Sequence, residues 1–187
     1  MADTKLRIPL AEAQALADEL VRILWPFCDK LEIAGSIRRK RPDVGDVELL
    51  VTPRMSSNRM ATLFGYEPAP PTNLLDDVIM AELADGRRFG TRPDTKGHTA
   101  VGTRYKRLTY RGFGLDLFSC LEPAQFGVLF VIRTGPADFS HRLVTPRLLG
   151  GWLPTGMSVR DGAIHDGGVV LQTPSEAEVF AVLGAPM

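Results

Sequence analysis

The sequence predicts an α+β fold, and three observations carry that prediction. Leu10, Ala13, Ala17, Leu20 and Leu24 recur at spacings of three and four, the mark of a helix with one buried stripe. Apolar runs of strand length follow at residues 31–34 and 47–51. The elements then order themselves as helix, two strands, helix, two strands, which supplies a sheet for the helical stripes to cover.

The first helix is expected over about residues 9–25. Gly35-Ser36 opens the connection between the first two strands. Residues 55–72, containing Pro and Ser, read as loop, after which Asn73 caps a helix that runs to Gly86. Arg111-Gly112 turns a hairpin between strands at 105–110 and 115–118. Pro123 begins a second, smaller module. It holds a helix around residues 125–132, another after Pro136 and a hairpin at Asp161-Gly162. Its last helix is opened by Thr173-Pro174-Ser175-Glu176, where a capping box coincides with Pro at the first helical position.

At 187 residues the chain can bury a real core, as one domain with an appendage or as two small ones. Its formal net charge is zero, so a polyanionic partner has to be met by local charge. Such charge exists: residues 87–111 hold eight Lys or Arg and one acid, Asp94. Cys28 and Cys120 are far apart and belong to no Cys/His cluster, which gives no sign of a zinc site or disulfide framework. With no apolar stretch of about 18 residues and no N-terminal apolar leader, the expectation is a soluble, intracellular, cytoplasmic protein that does not meet a membrane.

The stretch AGSIRRKRPDVGDVELLV, residues 34–51, concentrates the chemistry. On a strand, side chains at i and i+2 share a face, so Asp46 and Glu48 project together while Val47 and Leu49 point away. Two adjacent anions repel unless a cation lies between them, and hard oxygen donors suit Mg²⁺ or Mn²⁺. A solvated strand face also fits an isolated Asp-x-Glu. Asp116 in GLDLF shifts the balance, because a carboxylate flanked by large apolar residues is costly without a partner. Upstream, the backbone after Gly35, the Ser36 hydroxyl and Arg39 could hold a triphosphate, whereas Lys40 and Arg41 fit a solvated loop equally well.

These residues resemble the nucleotidyltransferase superfamily, and specifically the X-family DNA polymerases related to DNA polymerase beta. That family's palm carries Gly-Ser-x-Arg-Arg, six residues, then Asp-x-Asp. Here GSIRR ends at Arg39, six residues follow, and Asp46-Val47-Glu48 stands in place. The family's third Asp lies between hydrophobic residues, as in Leu115-Asp116-Leu117. Its later Thr-Gly-Ser-x-x-Phe-Asn motif is matched by Thr134-Gly135-Pro136-Ala137-Asp138-Phe139-Ser140. The resemblance spans roughly residues 8–184. It implies a nucleotidyltransferase palm over residues 1–122, built as a small mixed sheet with helices on one face, and a small α+β thumb over 123–187.

The resemblance implies roles as well. Asp46, Glu48 and Asp116 would hold two Mg²⁺ ions, with Mn²⁺ able to substitute. Ser36, Arg39 and the Gly45 backbone would grip the phosphates of a nucleoside triphosphate. Thr134 and Gly135 would line the sugar pocket, and Ser140 stands where the family often reads the base edge. Since the matching family bond is cis, Gly135–Pro136 is expected to be cis. Arg104, Lys106 and Arg107 would contact the backbone of primed or gapped DNA; a charged sheet edge is the plainer alternative. The chain departs from the pattern at Glu48, at Gly114 where an Arg is expected, and at Ile132-Arg133 before the Thr-Gly. No lyase segment is matched, so a protein partner could supply the missing DNA-binding domains; the chain itself is expected to be a monomer. Short gap filling in DNA repair is the leading function. A template-independent nucleotidyltransferase and a non-catalytic DNA-binding module are the alternatives.

Overall fold

The computed structural model describes residues 6–184 apart from 58, 64 and 95. Strand β1 (Ile8–Pro9) runs directly into helix α1 (Leu10–Leu24), whose Ala13, Ala17, Leu20 and Leu24 are buried as their spacing requires. Strand β2 (Cys28–Ile33) follows, then a single helical turn α2 (Gly35–Arg38), strand β3 (Asp43–Val44), which pairs with β1, and strand β4 (Val47–Pro53). Residues 55–72 are not all loop: β5 (Arg59–Thr62) and β6 (Gly65–Pro68) pair antiparallel within them. Helix α3 (Leu74–Asp85) starts where the Asn73 side chain accepts the Asp76 amide at 3.1 Å and stops at Gly86 in the left-handed region, as predicted.

Strands β7 (Phe89–Thr91), β8 (Tyr105–Tyr110) and β9 (Phe113–Ser119) complete a five-stranded mixed sheet ordered β2-β4-β9-β8-β7. Only the central β4–β9 pair is parallel. Arg111 and Gly112 both take positive φ, 50° and 78°, the backbone of a tight hairpin turn matched to strand twist. Helices α4 (Pro123–Thr134) and α5 (Ala137–Val144) follow, then a three-stranded antiparallel sheet of β10 (Met157–Arg160), β11 (Ala163–Asp166) and β12 (Val169–Val170), and helix α6 (Glu176–Leu183).

Alternation along the strands sorts residues between two faces. Val47, Leu49, Val51, Leu115, Leu117, Leu108 and Tyr110 turn to the face covered by α1 and α3 and form the main core. Glu48, Leu50, Asp116, Phe118, Tyr105 and Arg107 turn to the other. That second face is not bare. Leu50 and Phe118 pack with Ala34, Cys120 and the α4 residues Phe126 and Phe130, so a helix covers one end of it and leaves the carboxylates beyond. A third cluster joins α4, α5 and α6 to β11 through Val128, Leu143, Ile164 and Val179. Cys28 and Cys120 are free and buried, and burial pushes both thiols up to about 12, so neither ionises near neutrality. No helix among the described residues is long and apolar enough to cross a membrane.

Two C-terminal expectations are corrected. The last helix is capped by Ser175, whose backbone N–H donates to Glu178 at 2.9 Å, rather than two residues earlier. Thr173 is fully buried, and its hydroxyl donates to the Ala124 carbonyl at 2.7 Å, a long-range bond that outcompetes local capping. The Gly135–Pro136 bond is trans, since no cis peptide occurs among the described residues. Pro136 sits at the N-cap of α5 with φ −63° and ψ 160°, where its fixed φ feeds the helix, and the trans form is the lower-energy isomer by ~0.5–1 kcal/mol.

Candidate active site

Parallel pairing of β4 with β9 sets Glu48 directly opposite Asp116, and both project from the face away from α1 and α3. Asp46, just before β4, reaches the same place. The guanidinium of Arg92, one residue past β7, connects them: its Nη2 donates to Asp116 Oδ1 at 2.7 Å and lies 3.5 Å from Asp46 Oδ2. Tyr105 also donates to Asp116 Oδ1, at 3.0 Å. Burial, followed by the Asp116 charge, pushes the Tyr105 phenol up to about 12, which keeps it a donor.

Glu48 faces the opposite problem. Burial is the largest influence and the Asp46 and Asp116 charges add to it, so its carboxyl is pushed up to about 7 although Arg39 and Arg133 pull the other way. Its side chain rests against the Cα of Gly35. That glycine has φ +63°, and a Cβ there would overlap Glu48 Oε2. The Ala34 amide donates to the Glu48 carbonyl at 2.9 Å, tying the same turn to β4. The Gly-Ser and Asp-x-Glu segments are therefore one piece of structure, in which the glycine makes room for the acid.

Asp46, Glu48 and Asp116 offer carboxylate oxygens, and two of these carboxylates already share one cation, so the residues fit a hard divalent ion. No three His, Cys, Asp or Glu side chains among the described residues are closed into a metal-holding group. Arg92 stands between two of the three that would have to close.

Ser36 lies in the α2 turn, next to the Gly35 that packs against Glu48, and Gly45 is buried immediately before Asp46. Arg39, whose charge is felt at Glu48, fixes its head on the other side: its Nη1 donates to the Thr134 carbonyl and lies 3.3 Å from that of Gly135. It lines, with Thr134, Gly135, Phe139 and Phe180, a cavity of about 220 Å³. Next to it Arg38 binds both oxygens of Glu176 at 2.7 and 2.5 Å, donates to Thr134 Oγ1 at 3.0 Å and stacks over Phe130. Of the expected phosphate-binding residues, Arg39 is thus brought against the expected sugar-binding pair Thr134 and Gly135. The Ser140 hydroxyl donates to the Ile132 carbonyl at 2.7 Å, which leaves its oxygen as an acceptor.

The expected DNA contacts divide. Lys106 is corrected outright, because alternation turns it with Leu108 and Tyr110 toward α3, where it is 2% exposed and paired with Asp76. Arg107 lies opposite Asp116 on the acidic face. Arg104 bridges to Asp161 at 2.9 Å, but at 58% and 74% exposure that bridge holds it weakly. Sequence reasoning misses Arg92, Tyr105 and Arg133, the last of which stacks over Phe118 at 4.0 Å. The only signal for Arg92 is indirect, the glycine at position 114. A Cβ there would sit 2.5 Å from Arg92 Nη1, so the space is already taken.

Scans against protein-family models and against curated proteins found no match to this chain.

The raised Glu48 carboxyl makes stability depend on pH. Between its unfolded value near 4.5 and its folded value of about 7, the folded chain binds a proton that the unfolded chain has released. Stability from this group is therefore full below the unfolded value and is lost as pH rises through the folded one, by ~3 kcal/mol at most. In EDTA, the thermal midpoint should fall more steeply from pH 5 to pH 8 in the parent than in Glu48→Gln. Equal slopes would remove the shift.

Proposed function

We propose that the chain is a nucleotidyltransferase of the X-family DNA polymerase type, with a palm over residues 1–122 and a thumb over 123–187. The observation that carries this reading is the β4–β9 register, which sets Glu48 opposite Asp116 on the face where Asp46 joins Asp116 through a shared cation. The Gly35 turn adds support, since it fits against the Glu48 carboxylate and Ser36 is the next residue of the same turn.

In this reading Asp46, Glu48 and Asp116 hold Mg²⁺ or Mn²⁺. When bound, such ions lower the pKa of the attacking 3′-hydroxyl and offset charge on the leaving pyrophosphate. Ser36, Arg39 and the Gly45 amide orient the triphosphate. Thr134 and Gly135 border the cavity that takes the sugar, and Arg39, already against both carbonyls, couples phosphate binding to that wall. Arg104 and Arg107 steer the backbone of primed or gapped DNA along the acidic face.

A second reading, template-independent transfer to a nucleic-acid end or another acceptor, is favoured by one finding. Lys106 is used inside the fold, so the basic stretch offers DNA less charge than its composition suggests. Primer extension on gapped, recessed and blunt DNA, with each nucleotide supplied singly in deoxy and ribo form, separates the two. Addition of the templated nucleotide to gapped DNA is expected. Addition regardless of template would favour the second reading, and no transfer with either Mg²⁺ or Mn²⁺ would overturn both.

A further inference from the structure

Arg92 occupies a place that the proposed chemistry needs empty. Its side chain is 18% exposed and its Nη2 serves Asp116 and Asp46 at once. Its Nε is buried with no hydrogen-bond partner among the described residues. A guanidinium settled permanently would be expected to have its N–H groups satisfied; here the two carboxylates hold one end while a donor at the other is left over. The absence of a Cβ at Gly114 gives the head its room, and the Arg92 backbone just past edge strand β7 stays tied to β8, its N–H donating to the Arg107 carbonyl at 3.1 Å, so that only the side chain has to move.

We propose that Arg92 is an internal stand-in for the divalent cation: its guanidinium bridges Asp46 and Asp116 in the cation-free chain and is displaced when those carboxylates close on a metal ion. The inference rests on the metal-site reading above. Its physical basis is competition, because a guanidinium and a divalent ion cannot share the same carboxylate oxygens without strong repulsion. Arg92 prevents mutual repulsion of the acids until metal arrives, and it raises the metal concentration that the site requires. It is a positioning residue, acting through Asp46 and Asp116.

The test is Mn²⁺ binding to the full chain without nucleotide, read from the loss of the free-ion electron paramagnetic resonance signal. Arg92→Met keeps length and removes charge, and should tighten binding by roughly ten-fold. Arg92→Lys should give a smaller gain than Arg92→Met, since it keeps a positive charge near the acids on a shorter, more strongly hydrated head. In EDTA, Arg92→Met should unfold at a lower temperature than the parent, with the gap closing at saturating Mn²⁺. Gly114→Ala is the second variant, because it keeps the charge and sterically expels the head; its methyl would also lie 3.2 Å from Asp46 Cβ, a contact that a shift of a few tenths of an ångström relieves, and it should tighten Mn²⁺ binding even if Arg92→Met does not fold. If the parent binds Mn²⁺ and Gly114→Ala and any folded Arg92→Met bind no tighter, the stand-in role is overturned and the metal site stands. If no form binds Mn²⁺ at millimolar concentration, the metal-site reading itself falls.

Discussion

Asp46→Asn and Asp116→Asn should each lower nucleotidyl transfer by roughly 10²–10³-fold or more, the scale of loss when one charge-stabilising group leaves a preorganised site. The change is nearly isosteric. In Asp116→Asn the new amide oxygen would still accept from Tyr105 and from Arg92, the two donors that now hold Asp116 Oδ1 at 3.0 and 2.7 Å, so the sheet should fold as before. What is lost is negative charge at the point where Asp46, Glu48 and Asp116 meet. Thermal unfolding in EDTA separates a folding defect from a chemical one, since the variants should stay within a few degrees of the parent. Primer extension at or near the parental rate by either variant would remove the carboxylates from the chemistry.

Much of this site was legible because two simple periodicities fix it. Alternation along a strand puts Asp46 and Glu48 on one side, and the apolar neighbours of Asp116 mark it as a strand residue needing partners. The same alternation explains an error. By composition residues 87–111 form a charged band, but Lys106 falls in phase with Leu108 and Tyr110 and so belongs to the helix-covered face. Counting charge without phase hides its pairing with Asp76.

Arg92 was not legible in that way. It follows a three-residue strand and meets an acid 24 positions later, a contact that only the sheet order creates. The β5–β6 hairpin escapes notice for a related reason, since its segment carries Pro and Ser and lacks a strand-length apolar run. At Thr173 a local rule was outweighed by context, and at Pro136 a local rule prevailed over the geometry that the resemblance implied. A buried hydroxyl found a carbonyl 49 residues away, and a proline suited to starting a helix did so with an ordinary trans bond.

Gly35→Ala should be as damaging as loss of an acid, and for a reason that can be isolated. Two costs fall on the alanine. The first is conformational: φ +63° is left-handed backbone, worth about 1–2 kcal/mol against a residue with a Cβ. The second is steric, because the new methyl would overlap Glu48 Oε2 and stand 2.6 Å from its Cδ. The carboxylate must then leave the face it shares with Asp116, or the turn carrying Ser36 must move. Gly112 supplies the control. Its φ is +78° but nothing lies within 4 Å of an added Cβ, so Gly112→Ala carries the first cost alone. Gly112→Ala should therefore lose about 1 kcal/mol of stability and keep its transfer rate, while Gly35→Ala should lose Mn²⁺ binding and at least roughly 10²-fold in rate. Combining Gly35→Ala with Glu48→Asp, which draws the carboxylate back by one methylene, should recover part of the Mn²⁺ binding. If Gly35→Ala lost only what Gly112→Ala loses, the glycine would be serving the turn and not the acid, and the link between the Gly-Ser and Asp-x-Glu segments would be one of sequence distance alone.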